Sequence, residues 1–346
     1  MRPCVQDAAV VAQLRACGAV LAGKTNMHEL GAGTSGINPH HGSTRNPYNT
    51  GKVAGGSSGG ICSHAGRPLR RGGLEADGRA FLQGWASSPE LDRRDARDLS
   101  RDSGGCAYRP ELNLPLLKAA SSMPTIRLAR YAKWFNDCSE DIRSCCYKAV
   151  HTLRTRYGWE VTADVTIPEI EEMRLAHYVT MGSECTASFD KYLKKLSKSE
   201  IGWDVRIALS AYGSFSSRAY LNSQRIRNRQ MYFHDKIFET FDVIVTPMTG
   251  VTAHELQDDA GHTGELDYIN GAALVRYSIA GNFLGLPAIT VNVGYDREGL
   301  PVGLQFIGRP WSEATLLHLA YAMQEACGKN YRKPMVYYDL LNKNKY

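Results

Sequence analysis

None of the nine cysteines stands in a CxxC spacing, so the short paired ligands of a structural zinc site are missing. The adjacent pair Cys145–Cys146 cannot replace them, and an odd count argues against a disulfide framework. Cys4, Cys17, Cys62, Cys106, Cys138, Cys145, Cys146, Cys185 and Cys327 therefore read as reduced thiols, mostly buried as small hydrophobes. A concentrated basic stripe is also missing. The 41 basic residues are interspersed with 35 acidic ones for a net charge of +6, which gives no case for nucleic acid. No signal peptide is visible, because Met1-Arg2-Pro3-Cys4 runs straight into an amphipathic pattern. Together with reduced thiols this points to an intracellular setting. The longest uncharged run, Tyr277 to Tyr295, is long enough to raise the question of a membrane span. It is broken by Asn282, Gly285, Pro287 and Asn292. A helix end, a Gly-Leu-Pro turn and a buried strand over Ala288–Val293 account for it better.

A local scarcity is more telling. Residues 62–109 hold nine arginines but no lysine, and residues 62–125 hold neither valine nor isoleucine. Runs such as Leu91-Asp92-Arg93-Arg94-Asp95-Ala96-Arg97-Asp98 offer no apolar face of useful width. Such a segment cannot bury enough surface to offset its ordering entropy, so residues 62–107 are expected to be poorly ordered, with at most short irregular helix. The rest of the chain is ordinary. With 346 residues and 43% hydrophobic content, it can bury a substantial core in one large domain or two small ones. Val5–Cys17 reads as a helix ended by Gly18, followed by a short buried strand over Ala19–Ala22. Strands are expected at Val161–Val165, Val243–Thr246 and Leu300–Ile307. Helices are expected at Ile170–Tyr178, Ser217–Phe238 and Glu313–Ala326. In the last, Leu316, Leu319, Ala320 and Met323 form one apolar stripe, with Ser312 as N-cap. Strands mixed with helices and no repeats argue an α/β class.

The candidate chemistry lies in residues 31–60, a loop rich in Gly, Ser, Thr, Asn and Pro. Loops of this length inside a domain are often functional. Its strongest signal is Gly55-Gly56-Ser57-Ser58-Gly59-Gly60. Glycines there let backbone approach a ligand, and the serines supply hydroxyls. Taken alone, the run also suits a linker or a phosphate-cradling turn.

The run is not alone. It follows Gly23-Lys24-Thr25-Asn26-Met27-His28-Glu29-Leu30-Gly31 and Gly42-Ser43-Thr44-Arg45-Asn46-Pro47-Tyr48. Downstream stand Val245-Thr246-Pro247, Asn282-Phe283-Leu284-Gly285-Leu286-Pro287-Ala288 and Gly299-Leu300-Pro301-Val302-Gly303-Leu304-Gln305. In this order the motifs resemble the amidase signature family of serine hydrolases. Lys133-Trp134-Phe135-Asn136-Asp137 and Gly308-Arg309-Pro310-Trp311-Ser312-Glu313-Ala314 resemble its plant fatty acid amide hydrolases. Several ordered motifs are far more specific than any one. The resemblance covers residues 5–61 and about 108–345. It divides the chain into 1–61, an N-terminal part with the GGSSGG loop; 62–107, a non-matching segment; and 108–346, a C-terminal part.

The resemblance implies an incomplete α/β fold with a mixed twisted sheet flanked by helices. It implies cleavage of fatty acid amides (N-acylethanolamines) by a Ser–cis-Ser–Lys triad, with no metal or other cofactor. There a neutral lysine takes a proton relayed through a serine on a cis peptide, a second serine attacks the carbonyl, and backbone N–H groups hold the oxyanion. Ser57 matches the bridging serine and Ser58 supports its loop. Gly31 and Ala32, with Thr34 nearby, fall where the acyl-amide pocket is lined. The implied partner is a small fatty acid amide, with peripheral membrane contact and a homodimer left open.

Two parts of the pattern have no match. Phe81 stands where the nucleophile belongs, and no G-T-D-x-G-G-S-like motif occurs in residues 62–109. Ser103, in Asp102-Ser103-Gly104-Gly105, comes too late and in the wrong order. The family's lysine lies upstream of the Gly23-Lys24-Thr25-Asn26 segment; Lys24 and Lys52 match a strand end and a loop. His28, His40 and His41 read as polar loop residues, too few for a metal and without a third group to orient a base. The match fails and resumes abruptly, as a shifted reading frame, a mistaken splice or a pseudogene would produce. Without a nucleophile segment packed beside it, a cis Gly56–Ser57 bond is not expected. Three readings follow: an amidase whose parts are missing here; a relative that binds acyl amides or a partner without catalysis; and an amidase for indole acetamide or transfer-RNA-linked glutamine.

Overall fold

The computed structural model describes residues 7, 9–21, 24–58, 81–83, 125–159, 161–193, 200–327 and 331–336. The first element is helix α1 (Ala9–Ala16), followed by a small hairpin of β1 (Arg45–Asn46) and β2 (Asn49–Val53). Then come β3 (Phe81–Gln83), β4 (Leu128–Arg130), α2 (Ala132–Phe135), α3 (Glu140–Tyr157), β5 (Val161–Asp164), α4 (Ile170–Leu193), α5 (Trp203–Gly213) and α6 (Ser217–Phe238). The chain continues through β6 (Val243–Pro247), α7 (Ala260–Thr263), α8 (Tyr268–Val275), α9 (Ile279–Leu284), β7 (Ala288–Tyr295), β8 (Pro301–Gly308) and α10 (Glu313–Cys327).

Six strands form one mixed sheet in the order β3-β7-β8-β6-β4-β5. The β3/β7, β7/β8 and β8/β6 pairs are antiparallel, and β6/β4 and β4/β5 are parallel. The parallel half is possible because helices carry the chain back between its strands. Side-chain alternation then gives the sheet two buried faces. Val243 and Val245 of β6 join Leu304 and Phe306 of β8 on one face, against α3 and α10. Ile244 and Ile307 lie in the cluster on the opposite face, with α4, α6 and α9. The fold is thus α/β, with a twisted sheet between two helical layers, as the pattern predicts. The stripe of α10 is buried at Leu316, Leu319, Ala320 and Met323. The uncharged run of Tyr277–Tyr295 resolves into α9, a left-handed Gly285 and β7. Among the described residues no helix is long and apolar enough to cross a membrane.

Two local expectations need correction. Ala19–Ala22 is not a buried strand: no strand forms at residues 19–21, and Val20 is 91% exposed, because no neighbouring strand pairs with it among the described residues. Ser312 does not use its hydroxyl as an N-cap; it donates back to the Arg309 carbonyl at 2.7 Å. The expectation for residues 62–107 lies outside the described residues except at 81–83, which form a short strand paired with β7.

A third, small cluster positions the candidate site. Ile37, Val53, Leu256 and Ala260 pack together beneath the β1–β2 hairpin. The Val53 N–H donates to the His254 carbonyl at 3.0 Å and the Leu256 N–H to the Gly51 carbonyl at 2.8 Å. These contacts seat the loop-rich N-terminal part on the segment that follows β6.

Candidate active-site frame

The site is two loops facing each other. Residues 28–37 begin with a short 3-10 turn, Glu29–Gly31, in which Leu30 has φ +52° and Gly31 φ +71°. Its N–H groups close the turn: Gly31 donates to the His28 carbonyl and Ala32 to that of Glu29. Glu29 N–H reaches the Ile37 carbonyl at 3.0 Å, so the loop returns on itself. The second loop carries Ser57. Its carbonyl accepts the His28 N–H at 2.8 Å. A Cβ on Gly56 would lie 2.8 Å from the Gly36 nitrogen and 3.0 Å from the Thr34 carbonyl carbon. Backbone touches backbone there, and only glycine leaves room.

The Gly56–Ser57 peptide is cis, which overturns the expectation of a trans bond. Its surroundings give the reason. Among the described residues the loop is clasped from upstream, by Thr34–Gly36 and the His28 N–H. Of the predicted site residues, Thr34 and Ser57 are thus brought onto touching loops, and Gly31 and Ala32 sit on the turn leading to Thr34. The Thr34 hydroxyl faces α8, where a Cβ on Gly271 would stand 3.0 Å from it. Ser58 is exposed. Ser103 lies outside the described residues. Lys24 is exposed, and Lys52 is paired with Glu298 at 2.5 Å.

His28 is the residue that sequence reasoning undervalued. It is 2% exposed. Its Nδ1 accepts the Ile37 N–H at 3.3 Å, and its Nε2 lies 3.2 Å from Asp204 Oδ2. The backbone of Gly33 passes so close to the imidazole that a Cβ there would fall 2.2 Å from the ring. Next to it, Glu29 Oε2 accepts the Gly202 N–H at 2.7 Å, 173 residues away in sequence. His40 Nε2 lies 3.2 Å from the other Glu29 oxygen. Burial pushes the Asp204 carboxyl up, but His28 and the N–H groups of Val205 and Glu265 outweigh it and hold the group below the usual carboxylate range. No local pattern marks these partners; only the fold brings them together. Beyond Asp204 opens a cavity of about 310 Å³ lined by Trp203, Asp204, Ile207, Gly264 and Leu266.

His254, Glu265 and Asp267 also converge, with ligand atoms within 4.8 Å of one another. Among the described residues, His254 Nδ1 and Glu265 Oε2 are buried without a hydrogen-bond partner. His254 Nε2 lies 2.8 Å from Glu265 Oε1, and Asp267 caps α8 through the Asn270 N–H at 2.9 Å. The hydrogen bond to Glu265 raises the His254 pKa, against the effect of burial. A raised histidine contributes stability that is complete below its ordinary value of about 6.5 and is lost as pH rises through the folded value. His254→Gln is therefore expected to destabilise by about 0.5–1 kcal/mol near pH 5.5 and by less near pH 8.5. Urea midpoints at the two pH values check this; an equal loss at both would break the link to protonation.

Comparison with known proteins matches this frame. A family profile described as Amidase covers residues 2–73 and 110–317. The chain is 36% identical to a fatty acid amide hydrolase of Oryza sativa subsp. indica, over 99% of this chain and 63% of that one. It is 38% identical to one of Arabidopsis thaliana, over 98% of this chain and 62% of that one. The chain thus spans less than two-thirds of the length of these curated relatives. Among solved structures, Kluyveromyces lactis allophanate hydrolase aligns with a TM-score of 0.73 at 20% identity, over 96% of this chain and 60% of that one. A bacterial aryl acylamidase aligns at 0.72 and 19% identity, over 94% and 76%. Both show the same fold.

Proposed function

The chain belongs to the amidase family, and from that premise we propose that it carries the acyl-amide-binding frame of a fatty acid amide hydrolase but, as this 346-residue polypeptide, does not hydrolyse fatty acid amides above background. The Ser57 loop carries this reading. It is assembled, with its carbonyl held by the His28 N–H and its backbone against Thr34–Gly36. Yet no residue of the sequence matches the attacking serine or the lysine base. The family's relay then has its middle member alone. Gly31, Ala32 and Thr34 supply the acyl-amide side of the frame. The likeness to plant fatty acid amide hydrolases supports a fatty-acyl substrate class. The exposed Trp203 and Leu266 at the cavity, with Tyr268 and Ile269 beyond it, support peripheral contact with the membrane in which such amides dissolve. Equilibrium binding of an N-acylethanolamine, measured beside ethanolamine release, tests the proposal. Binding without release is expected. Release well above background that depends on Ser57 would overturn the inactive half, and absence of binding the other half.

A further inference from the structure

We propose that His28 and Asp204 act as a positioning pair that fixes the Ser57 loop from behind, so that the place of the bridging serine is set from the start of α5. The inference rests on the reading above only in calling Ser57 the bridging serine. One residue, His28, ties three segments together. Its backbone N–H donates to the Ser57 carbonyl at 2.8 Å. Its ring accepts the Ile37 N–H at Nδ1, 3.3 Å away. A nitrogen that accepts carries no proton, so the neutral ring must be the Nε2–H tautomer. That nitrogen faces Asp204 Oδ2 at 3.2 Å.

The pair is enclosed. His28 and Asp204 are 2% and 7% exposed, and the Gly33 backbone lies against the imidazole, leaving no space for the ring to swing. Asp204 is fixed in turn, because it stands in the first turn of α5 and its Oδ1 accepts the Val205 N–H at 2.8 Å. Glu29 reinforces the arrangement by accepting the N–H of Gly202, the residue before α5, at 2.7 Å. Two consecutive residues thus anchor the loop to one helix start. A buried charge that loses its partner is strongly unfavourable, so each member of the pair holds the other in place. Among the described residues near the pair, Glu29 is joined to Gly202 and His40 to Glu29, while Glu265 donates its N–H to Asp204 and turns its carboxylate to His254.

The test reads local structure rather than turnover. Hydrogen exchange of the full chain is compared for wild type, Asp204→Ala and Asp204→Asn. In Asp204→Ala, exchange over residues 28–37 and 53–58 should rise at least about tenfold while the sheet and α4 stay unchanged. The single amide oxygen of Asp204→Asn can accept from Nε2–H but not from the Val205 N–H as well, so exchange at these loops should fall at least about threefold below that of Asp204→Ala without reaching wild type. A uniform rise across the chain, or none at these loops, would reduce the pair to ordinary packing and overturn the proposal. Should Asp204→Ala fail to fold, ¹⁵N-histidine spectra of wild type and Asp204→Asn decide. The signal lost in His28→Gln should show a fixed Nε2–H tautomer in both. An Nδ1–H tautomer would contradict the proposal.

Discussion

Incubated with an N-acylethanolamine, the purified 346-residue chain is expected to release ethanolamine no faster than its Ser57→Ala variant. A serine hydroxyl is a poor nucleophile until a base takes its proton. Ser57 sits on the assembled loop, but Lys24 is exposed and Lys52 is engaged with Glu298. On the proposed reading Phe81 stands where the family has its attacking serine, and it belongs to β3. Members of a catalytic unit are strongly non-additive. Losing one costs on the order of 10⁴–10⁶ in rate, and a second loss adds little. Ser57→Ala should therefore have almost no further effect, although in an intact triad the same substitution would be severe. A Ser57-dependent rate thousands of times above the uncatalysed reaction would mean that another serine has taken the nucleophile's role.

The second large effect concerns the frame. Phe306→Ala should lower the unfolding free energy by about 3–5 kcal/mol, with the urea midpoint moving and the slope unchanged. Phe306 is fully buried, lies between Val245 of β6 and Ile289 of β7, and belongs to the core cluster that includes α3 and α10. Its removal leaves a cavity that rigid strands on both sides cannot close. Trp203, by contrast, is 55% exposed, and Trp203→Ala should stay within about 0.5 kcal/mol. A loss below about 1 kcal/mol at Phe306 would show that the sheet and its helices are not packed as one core.

Much of this frame was legible in the chain itself. Periodicity marked α6 at Ser217–Phe238 without error, and the breaks at Gly285 and Pro287 separated α9 from β7. Both signals are local, and the apolar stripe that creates each one is also what buries it. The helix starting at Ile170 was read short: it continues to Leu193, where the pattern is weakly amphipathic because α5 and α6 cover it on more than one side. Ser57, Gly31, Ala32 and Thr34 are assigned by motif, and the fold brings the loops of Thr34 and Ser57 into contact. The His28–Asp204 contact and the docking of Glu29 on Gly202 left none, because each partner looks ordinary where it stands. The cis bond at Gly56–Ser57 was missed for a related reason. Among the described residues its clasp comes from residues 34–36, which carry no sequence signal for it.

The central claim is that a bridging serine stands in place without a nucleophile or a base. It is tested most directly by the intact mass of the chain after exposure to an alkyl fluorophosphonate, with which an activated serine oxygen forms a P–O bond as fluoride leaves. The account predicts an unchanged mass, with Ser57 and Ser58 unlabelled. A stoichiometric adduct on any serine, abolished by Ser57→Ala, would contradict it.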